Sequence, residues 1–390
     1  MRWLILLVFI SLCTLSLGAV SVVATAETTT QKAQDELDKT IEEQMGKLEL
    51  DELQKYVDSI GLSDGKTLIE RLLSYVKGEK FNYADFGKEM AELLFANVKD
   101  LLPAFACIAA VALLSGLISS LKSSVLSHTS SDAVFLVTYA AALVPLISVL
   151  TECITQSVSC VASMQKQMQL VFPLMLTLTA ASGGTLSAAV CRPAVGFFST
   201  TIVSLIKELV FPLTIAVIAF SMASNMTKEL KIHKFTEFFK SINKWLIGIS
   251  ISVFGLFFTL QGLTASTYDG VIRRAAKYAI GNGIPIIGGF LSGGFDLAAA
   301  GSVLIKNSIG SLGIFLLVFI LFEPIVLLCS TSLLLRLTAA ITQPIGDSRI
   351  SDFLEETANN LRYFIAGLLF VAFLYFLSIV ILVYSSEALF

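Results

Sequence analysis

Four ionisable residues lie within long apolar stretches of the sequence, where a charged side chain could do chemistry. Lys207 and Glu208 are adjacent, Glu323 directly precedes Pro324, and Asp296 follows a Gly-Gly pair. A bare charge is costly in hydrocarbon, so such residues mark ion or proton pathways, or pair with other protein groups. These four therefore either couple ions during transport or anchor neighbouring helices to one another. For Asp296, the alternative is a solvated hairpin tip near the membrane interface.

Glu323 is the most informative of these positions, because it lies in one of the most apolar stretches of the chain. Pro324 has no N–H, so the carbonyl of Ile320 loses its helical donor and could face a cavity. Lys207 is a candidate countercharge for Glu323. A protonated or paired interhelical anchor and a conduction or coupling site both remain open for Glu323.

No pattern in the sequence indicates an active site. It contains no G-x-S-x-G or H-E-x-x-H motif and no carboxylate pair on one helix face. His128 and His233 lack metal-ligand spacing. The six cysteines lie in or beside apolar segments, where buried packing is expected, and pairing of Cys153 with Cys160 is the alternative. We therefore expect no enzyme activity, no cofactor and no metal.

Composition indicates a membrane protein. The chain is 55% hydrophobic and 15% charged, with a mean hydropathy of +0.80, which is too apolar for a soluble globule. The net charge is −3, and residues 27–100 alone carry 17 acidic and 10 basic side chains. No broad basic field exists, so we expect membrane lipid, and no nucleic acid, as a partner.

The N-terminal residues 1–26 are typical of a signal peptide. Arg2 is followed by an apolar stretch, and Ala24 and Ala26 form an A-x-A cleavage site. The alternative is an uncleaved first transmembrane helix, because the apolar stretch is about 20 residues long. In either case residues 27–100, a series of short acidic amphipathic helices, are expected to be exported.

The remaining residues predict an all-α polytopic core that contains a duplicated membrane module. Two transmembrane helices are expected within 101–155, followed by repeat 1 at 165–265 and repeat 2 at 277–385. The repeat is indicated by Pro173 with Pro212 and by Pro285 with Pro324, because the two pairs have the same spacing in the sequence. Duplicated modules often form a site or passage where the repeats meet.

Glycine pairs suggest a break in each repeat. Gly183-Gly184 interrupts the apolar segment 170–190, and Gly293-Gly294 interrupts the segment 284–305. Broken apolar helices at membrane depth occur where protein or a cavity shields the backbone. Both segments are therefore predicted to form re-entrant hairpins, with full spanning as the alternative.

Charge predicts the orientation. Residues 225–244 contain five lysines and are expected to face the cytoplasm, as is the equivalent linker 346–361. Residues 27–100 and the C-terminus are then outside. Aromatic and aliphatic side chains of the two linkers, including Phe235, Phe353 and Leu354, are predicted to insert into the inner membrane interface.

Several apolar, Gly/Pro-rich segments resemble those of the stage III sporulation protein AE family of endospore-forming bacteria. They are FPLMLTLTAASGG (172–184), IPIIGG (284–289), LIKNSIG (304–310) and AAITQPIGDSRI (339–350). Their order and the overall length make the resemblance fairly specific. The family has no assigned catalytic residues, so none is carried over.

The resemblance implies a function and a set of partners. It implies a multi-pass component of a channel or secretion-like complex in the mother-cell membrane that surrounds the forespore, supporting late forespore gene expression. The implied partners are other stage III sporulation membrane proteins, including a secretion-type ATPase and ring-forming components, and a forespore membrane channel protein. The alternatives are a stand-alone ion-coupled secondary transporter and a structural platform that recruits ring-forming partners.

Replacing Ala24 and Ala26 together by leucine is expected to block processing, because signal peptidase requires small residues at both positions. The N-terminus of the mature protein and its mobility on a gel measure this. A wild-type protein that still begins at Met1 in cells would exclude cleavage.

Overall fold

Helices make up the described part of the chain, which confirms the predicted all-α class. The computed structural model describes residues 41, 51–59, 99–114, 117, 128–226, 233–262, 288–344 and 348–387. The predicted signal cleavage residues Ala24 and Ala26, and Pro285, lie outside the described residues. Helix α1 is Asp51–Ser59, and residues 99–114 are also helical.

A long helical hairpin begins the membrane core. Helix α2 covers His128–Ala181, and a tight turn at 182–184 reverses the chain. The returning arm is helical from residue 185 to 226. Its successive parts are α3 (Thr185–Phe197), π1 (Phe198–Ile202), α4 (Val203–Leu205), π2 (Ile206–Val210) and α5 (Phe211–Met226).

The turn lies at the break predicted for Gly183 and Gly184. Gly183 has a φ of 99°, a left-handed conformation that costs other residues a clash with Cβ. The amide of Gly184 donates to the Thr179 carbonyl oxygen at 2.9 Å and ends α2. However, α2 runs without interruption from residue 128 into this turn, so 170–181 continues a long helix rather than starting a separate hairpin.

Proline and π-helical geometry are neighbours in the returning arm. Pro212 is the second residue of α5, two residues after the end of π2. Because proline lacks an N–H and its ring crowds the carbonyl four residues earlier, a wider turn before it relieves that crowding. The predicted irregularity at Pro212 therefore takes the form of a π-helical segment within a continuous helix.

The second hairpin consists of two long neighbouring helices. Helix α6 (His233–Gly262) precedes it, and α7 (Gly288–Thr342) and α8 (Ser348–Glu387) form its arms. Helix α8 is central, because it packs against α7, α2 and α5.

Glycines permit close approach between the two arms. An added Cβ on Gly310 would lie 2.8 Å from the Cγ2 atom of Val383. One on Gly313 would lie 3.0 Å from the Cδ1 atom of Ile379. Larger residues at these two positions would therefore push α7 and α8 apart.

The predicted break at Gly293 and Gly294 is wrong. Both glycines lie inside α7, which continues for 55 residues and also passes through Pro324. Residues 288–305 are therefore the first part of a long helix and do not form a re-entrant hairpin. From residue 288 onward, α7 contains no counterpart of the positive-φ turn at Gly183, although the two sequences are similar there. Pro173 likewise lies inside an unbroken helix, α2.

Four of the described helices contain segments long and apolar enough to cross a membrane. These segments are Phe135–Ala181, Ser199–Met226, Ala299–Thr342 and Arg349–Tyr384. The first has 47 residues, or about 70 Å of helix, whereas a bilayer has about 30 Å of hydrocarbon. Even a tilt of about 40° lengthens the path only to about 39 Å. Parts of these helices therefore lie beyond the hydrocarbon or against protein.

The substitution Gly183→Ala is expected to destabilise the protein by about 1–2 kcal/mol, the ordinary cost of a left-handed conformation for a residue with a Cβ. Gly196→Ala is the matched control, because it is helical and nothing lies within 4 Å of its added Cβ. The control should be neutral or up to about 1 kcal/mol more stable. Denaturant unfolding in detergent measures both free energies, and equal effects would contradict the assigned turn.

Candidate functional site

Glu323 lies on the outer surface of the helical bundle. It is exposed on α7, near the middle of the Ala299–Thr342 segment. Within the described ranges it has no hydrogen bond or ion pair. An ionised carboxylate in such a position requires water, a countercharge from another protein, or protonation.

The predicted countercharge does not reach Glu323. Lys207 is half-buried and Glu208 exposed, both within π2, and neither forms an ion pair with any described residue. The pairing predicted between Lys207 and Glu323 is therefore wrong. It assumed that equivalent positions in the two repeats place their side chains in contact, whereas π2, apart from its neighbours along the chain, packs against α6 and α8.

The carbonyl that Pro324 leaves without a helical donor accepts a hydrogen bond from a different helix. The Cys160 thiol of α2 donates to the carbonyl oxygen of Ile320 at 3.6 Å. This contact replaces the missing N–H of the proline and fixes α2 against α7 one turn from Glu323. The predicted freed carbonyl is thus used in packing and does not open a cavity.

Asp296 lies in α7 as far as its backbone is concerned. Its side chain is outside the described part of the structure. The candidate ion-coupling or anchoring roles of Lys207, Glu208, Asp296 and Glu323 remain predictions.

A polar stripe occupies the exposed side of α2 beside Glu323. Its eight members are exposed or half-exposed and recur every three to four residues along one face of the helix. They are Thr151, Glu152, Thr155, Gln156, Ser159, Ser163, Lys166 and Gln169. The opposite face of the same turns is buried in the bundle. Its members are Cys153, Ser157, Cys160, Val161, Met164 and Met168.

Helix α1 lies against this polar stripe. The Tyr56 hydroxyl donates to the carbonyl oxygen of Ser163 at 3.0 Å, and the Lys166 ammonium lies 5.4 Å from the centre of the Tyr56 ring. Leu53 and Val57 bury the apolar face of α1. Burial raises the pKa of Tyr56, which keeps the hydroxyl protonated as a donor.

The opposite side of the bundle is apolar at the same level. Gln165 donates to the Ser199 carbonyl oxygen at 3.2 Å. The polar stripe of α2 therefore lies at the same height in the bundle as Ser199 of the returning arm. Asn243 on α6 donates to the Thr214 hydroxyl at 2.8 Å. Leu256 is about four turns further along α6, or about 20 Å beyond that contact and near the level of Ser199. It is 69% exposed, so the bundle presents a polar and an apolar side at one depth.

A polar junction joins the two linkers at the other end of the bundle. Lys240 contacts the Glu356 carboxylate at 2.7 Å and that of Glu237 at 3.1 Å. Asn225 donates to the second oxygen of Glu356 at 3.2 Å. Three segments, α5, α6 and α8, thus meet at Glu356. The predicted linkers 225–244 and 346–361 therefore lie side by side at one end of the molecule.

Electrostatics stabilises this junction across the neutral pH range. Burial alone would lower the pKa of Lys240, but hydrogen bonds and attraction from Glu356 and Glu237 outweigh it and raise the pKa. Because the folded-state pKa is raised, the stabilisation is present below the ordinary lysine value and is lost only as pH rises through the raised value.

At this end of the bundle, the predicted insertion of two linker side chains into the membrane interface is wrong. Phe353 and Leu354 do not insert into lipid, because both are buried inside the bundle. The ring of Phe353 packs edge-on against Tyr139 with centroids 5.4 Å apart, and the Tyr139 hydroxyl donates to the Met222 carbonyl oxygen. Phe235, in contrast, is 63% exposed and remains available for insertion.

Sequence reasoning missed Lys306, a fully buried charged residue. Its ammonium donates to the carbonyl oxygen of Val383 at 2.8 Å, in the last turns of α8. A cation is favoured there because the C-terminal end of a helix carries partial negative charge. Glu152, Lys166 and the rest of the polar stripe were also missed. The three-to-four spacing of Cys153 and its buried neighbours could have shown that α2 continues amphipathically beyond residue 154.

These features define a multi-pass, all-α membrane protein. A sequence model described as stage III sporulation protein AE matches residues 66–386. The chain therefore belongs to the stage III sporulation protein AE family, and it is a membrane component of sporulation. This family is a structural sporulation family rather than a known enzyme family.

One curated relative illustrates how far the similarity extends. The chain is 25% identical over 345 residues to the stage III sporulation protein AE of Bacillus subtilis (strain 168). The match covers 87% of this chain and 86% of that protein. No solved structure matches the chain.

The substitution Lys240→Met is expected to destabilise the protein by about 1–2 kcal/mol, because Glu356 then keeps its partly buried charge without the lysine. Replacing both residues, with Lys240→Met and Glu356→Gln together, should recover part of this loss, because no unpaired charge then remains at position 356 and the glutamine oxygen can still accept from Asn225. The matched control is Lys244→Met, because Lys244 is an exposed lysine one turn away on the same helix. A surface change of this kind should alter stability by no more than about 0.5 kcal/mol. Equal effects of the two methionine variants on detergent unfolding would rule out the junction as a stabilising contact.

Proposed function

We propose that this protein is a membrane component of a channel- or secretion-like complex that links mother cell and forespore and supports late forespore gene expression. Its membrane would be the mother-cell-derived membrane around the forespore. Family membership supports the sporulation role, and the match over most of the chain supports the same role for this protein as for the family. Its partners would be other stage III sporulation membrane proteins.

The observation that carries the proposal is the exposed Glu323 at the middle of an apolar segment. A single chain in lipid would have to protonate this carboxylate or expose it to acyl chains. An assembly removes the difficulty, because a neighbouring protein or a shared aqueous passage can cover the residue. A membrane protein that works inside a multiprotein channel complex therefore accounts for this surface.

Energy for any transport would come from a partner. The sequence has no nucleotide-binding motif, which fits a complex that includes a secretion-type ATPase. Residues 27–100, expected outside the cytoplasm, would face the ring-forming components. The contact of α1 with Ser163 attaches one part of this segment to the core and leaves Asp51, Glu52 and Lys55 exposed.

Glu323→Leu is expected to reduce assembly and late forespore gene expression, whereas the chain itself should still accumulate. An interhelical polar contact in a membrane is worth about 0.6–2 kcal/mol, so recovery of co-purified partners should fall about 3- to 30-fold. Glu323→Gln separates the two roles: a polar anchor tolerates glutamine, but a site that needs charge does not.

The matched control is Glu355→Leu, an exposed carboxylate at the linker end. It should leave assembly and a late forespore reporter unchanged. Sporulating cells carrying each variant are compared for protein level, co-purification and reporter activity. Wild-type behaviour of Glu323→Leu in all three would contradict the proposal that this surface contacts partners or a passage.

A further inference from the structure

We propose that the polar stripe of α2 lines a water-filled groove along one side of the bundle, at the depth of its apolar segments. The groove would admit water and small hydrated solutes. This inference rests on the proposed function in one respect, since a channel component is where such a groove would be used. Its physical basis is independent and lies in four features of the described residues.

The first feature is the charge on α1. This helix contacts the stripe through Tyr56 and turns Asp51, Glu52 and Lys55 outward, where all three are exposed. Lipid-exposed charges of this density are not tolerated in hydrocarbon. The surface beside Ser163 is therefore in contact with water.

The second feature is the depth of that surface. Cys153 contacts Thr331 at 3.4 Å, and Gln167 donates to the Gly313 carbonyl oxygen at 3.0 Å. The stripe between these two contacts thus runs beside residues 313–331, inside the apolar segment of α7. Water beside Ser163 is consequently at the same depth as one of the most apolar parts of the molecule.

The third feature is a pair of buried polar atoms next to the stripe. The side-chain oxygen of Gln167 and the hydroxyl of Tyr375 are buried, and neither has a hydrogen-bond partner among the residues described. Both side chains lie near Gly313: the Gln167 amide nitrogen donates to its carbonyl oxygen, and the Tyr375 oxygen is 3.2 Å from the position of an added Cβ there. Buried polar groups of this kind are satisfied by protein or by ordered water. Water entering from the groove would satisfy both.

The fourth feature is the asymmetry of the bundle. On the far side, α6 exposes Ile249, Val253 and Leu256 at the level of the stripe, a surface suited to lipid. A bundle lifted wholly out of the membrane would expose these side chains to water. One side is therefore wet and the other faces lipid, which describes a lateral groove.

Thiol chemistry tests the groove in membranes that contain the full-length chain without its native cysteines. Ser159→Cys and Thr155→Cys place a thiol on the stripe, and Leu256→Cys is the matched control at the same depth. A charged, membrane-impermeant methanethiosulfonate reagent is applied alongside an uncharged, permeant maleimide. Because only the hydrated thiolate reacts quickly, both stripe variants should be modified by the charged reagent at least about tenfold faster than the control.

Two results would overturn the proposal. Stripe cysteines that react no faster than Leu256→Cys would show that the stripe faces lipid. Modification in the isolated chain but not in the assembled complex would show that a partner covers the stripe and that no water-filled groove exists. Neither result depends on a sporulation phenotype. If a late forespore reporter stays fully active when the whole chain is deleted, the proposed function is wrong. Rapid labelling of the stripe cysteines would still support the water-filled groove.

Discussion

Hydrocarbon offers no hydrogen bonds, so polar groups in the membrane core of this protein must find partners within the protein or in water. Thr214 and Ser378 donate back to carbonyl oxygens four residues earlier on their own helices. Lys306 reaches the end of α8, and Cys160 serves the carbonyl that Pro324 leaves unpaired. Close approach of α8 to Gly310 and Gly313 of α7 brings these helices near enough for such contacts.

The polar stripe and Glu323 are informative because most of their side chains have no hydrogen-bond partner among the described residues, although Thr151 donates to the carbonyl oxygen of Ile147 and Lys166 lies over the Tyr56 ring. Their side chains point outward at a depth where α7 is almost purely apolar. A structural platform could bury them against partners, and an ion-coupled transporter could use them for transport. The charged outer face of α1 argues for water nearby, and that favours a component that borders a passage over a simple scaffold.

The class of fold and one of its turns were predictable from the sequence. Hydropathy identified the apolar helices, and Gly183-Gly184 marked a real turn because only glycine adopts its left-handed conformation cheaply. The same signal failed at Gly293-Gly294, where α7 continues unbroken. A glycine pair permits a break without requiring one, and tertiary contacts decide the outcome.

Contacts between distant segments were beyond the sequence. The salt bridge of Lys240 with Glu356 and the buried Lys306 depend on the relative position of helices, which no local pattern specifies. The polar stripe could have been predicted, because its residues recur every three to four positions in the sequence. It was missed because residues 155–165 were assigned as the boundary between two membrane units, whereas α2 continues straight through them.

The central claim is that the polar part of α2 lies beside the middle of α7. Oxidative cross-linking between native Cys153 and Thr331→Cys, in membranes from cells, tests this claim most directly, because the two side chains are 3.4 Å apart. Mutating the other native cysteines removes competing bonds. Efficient disulfide formation within one chain is expected. Failure of this pair to cross-link, with Cys153 instead reacting as a solvent-exposed loop residue, would contradict it.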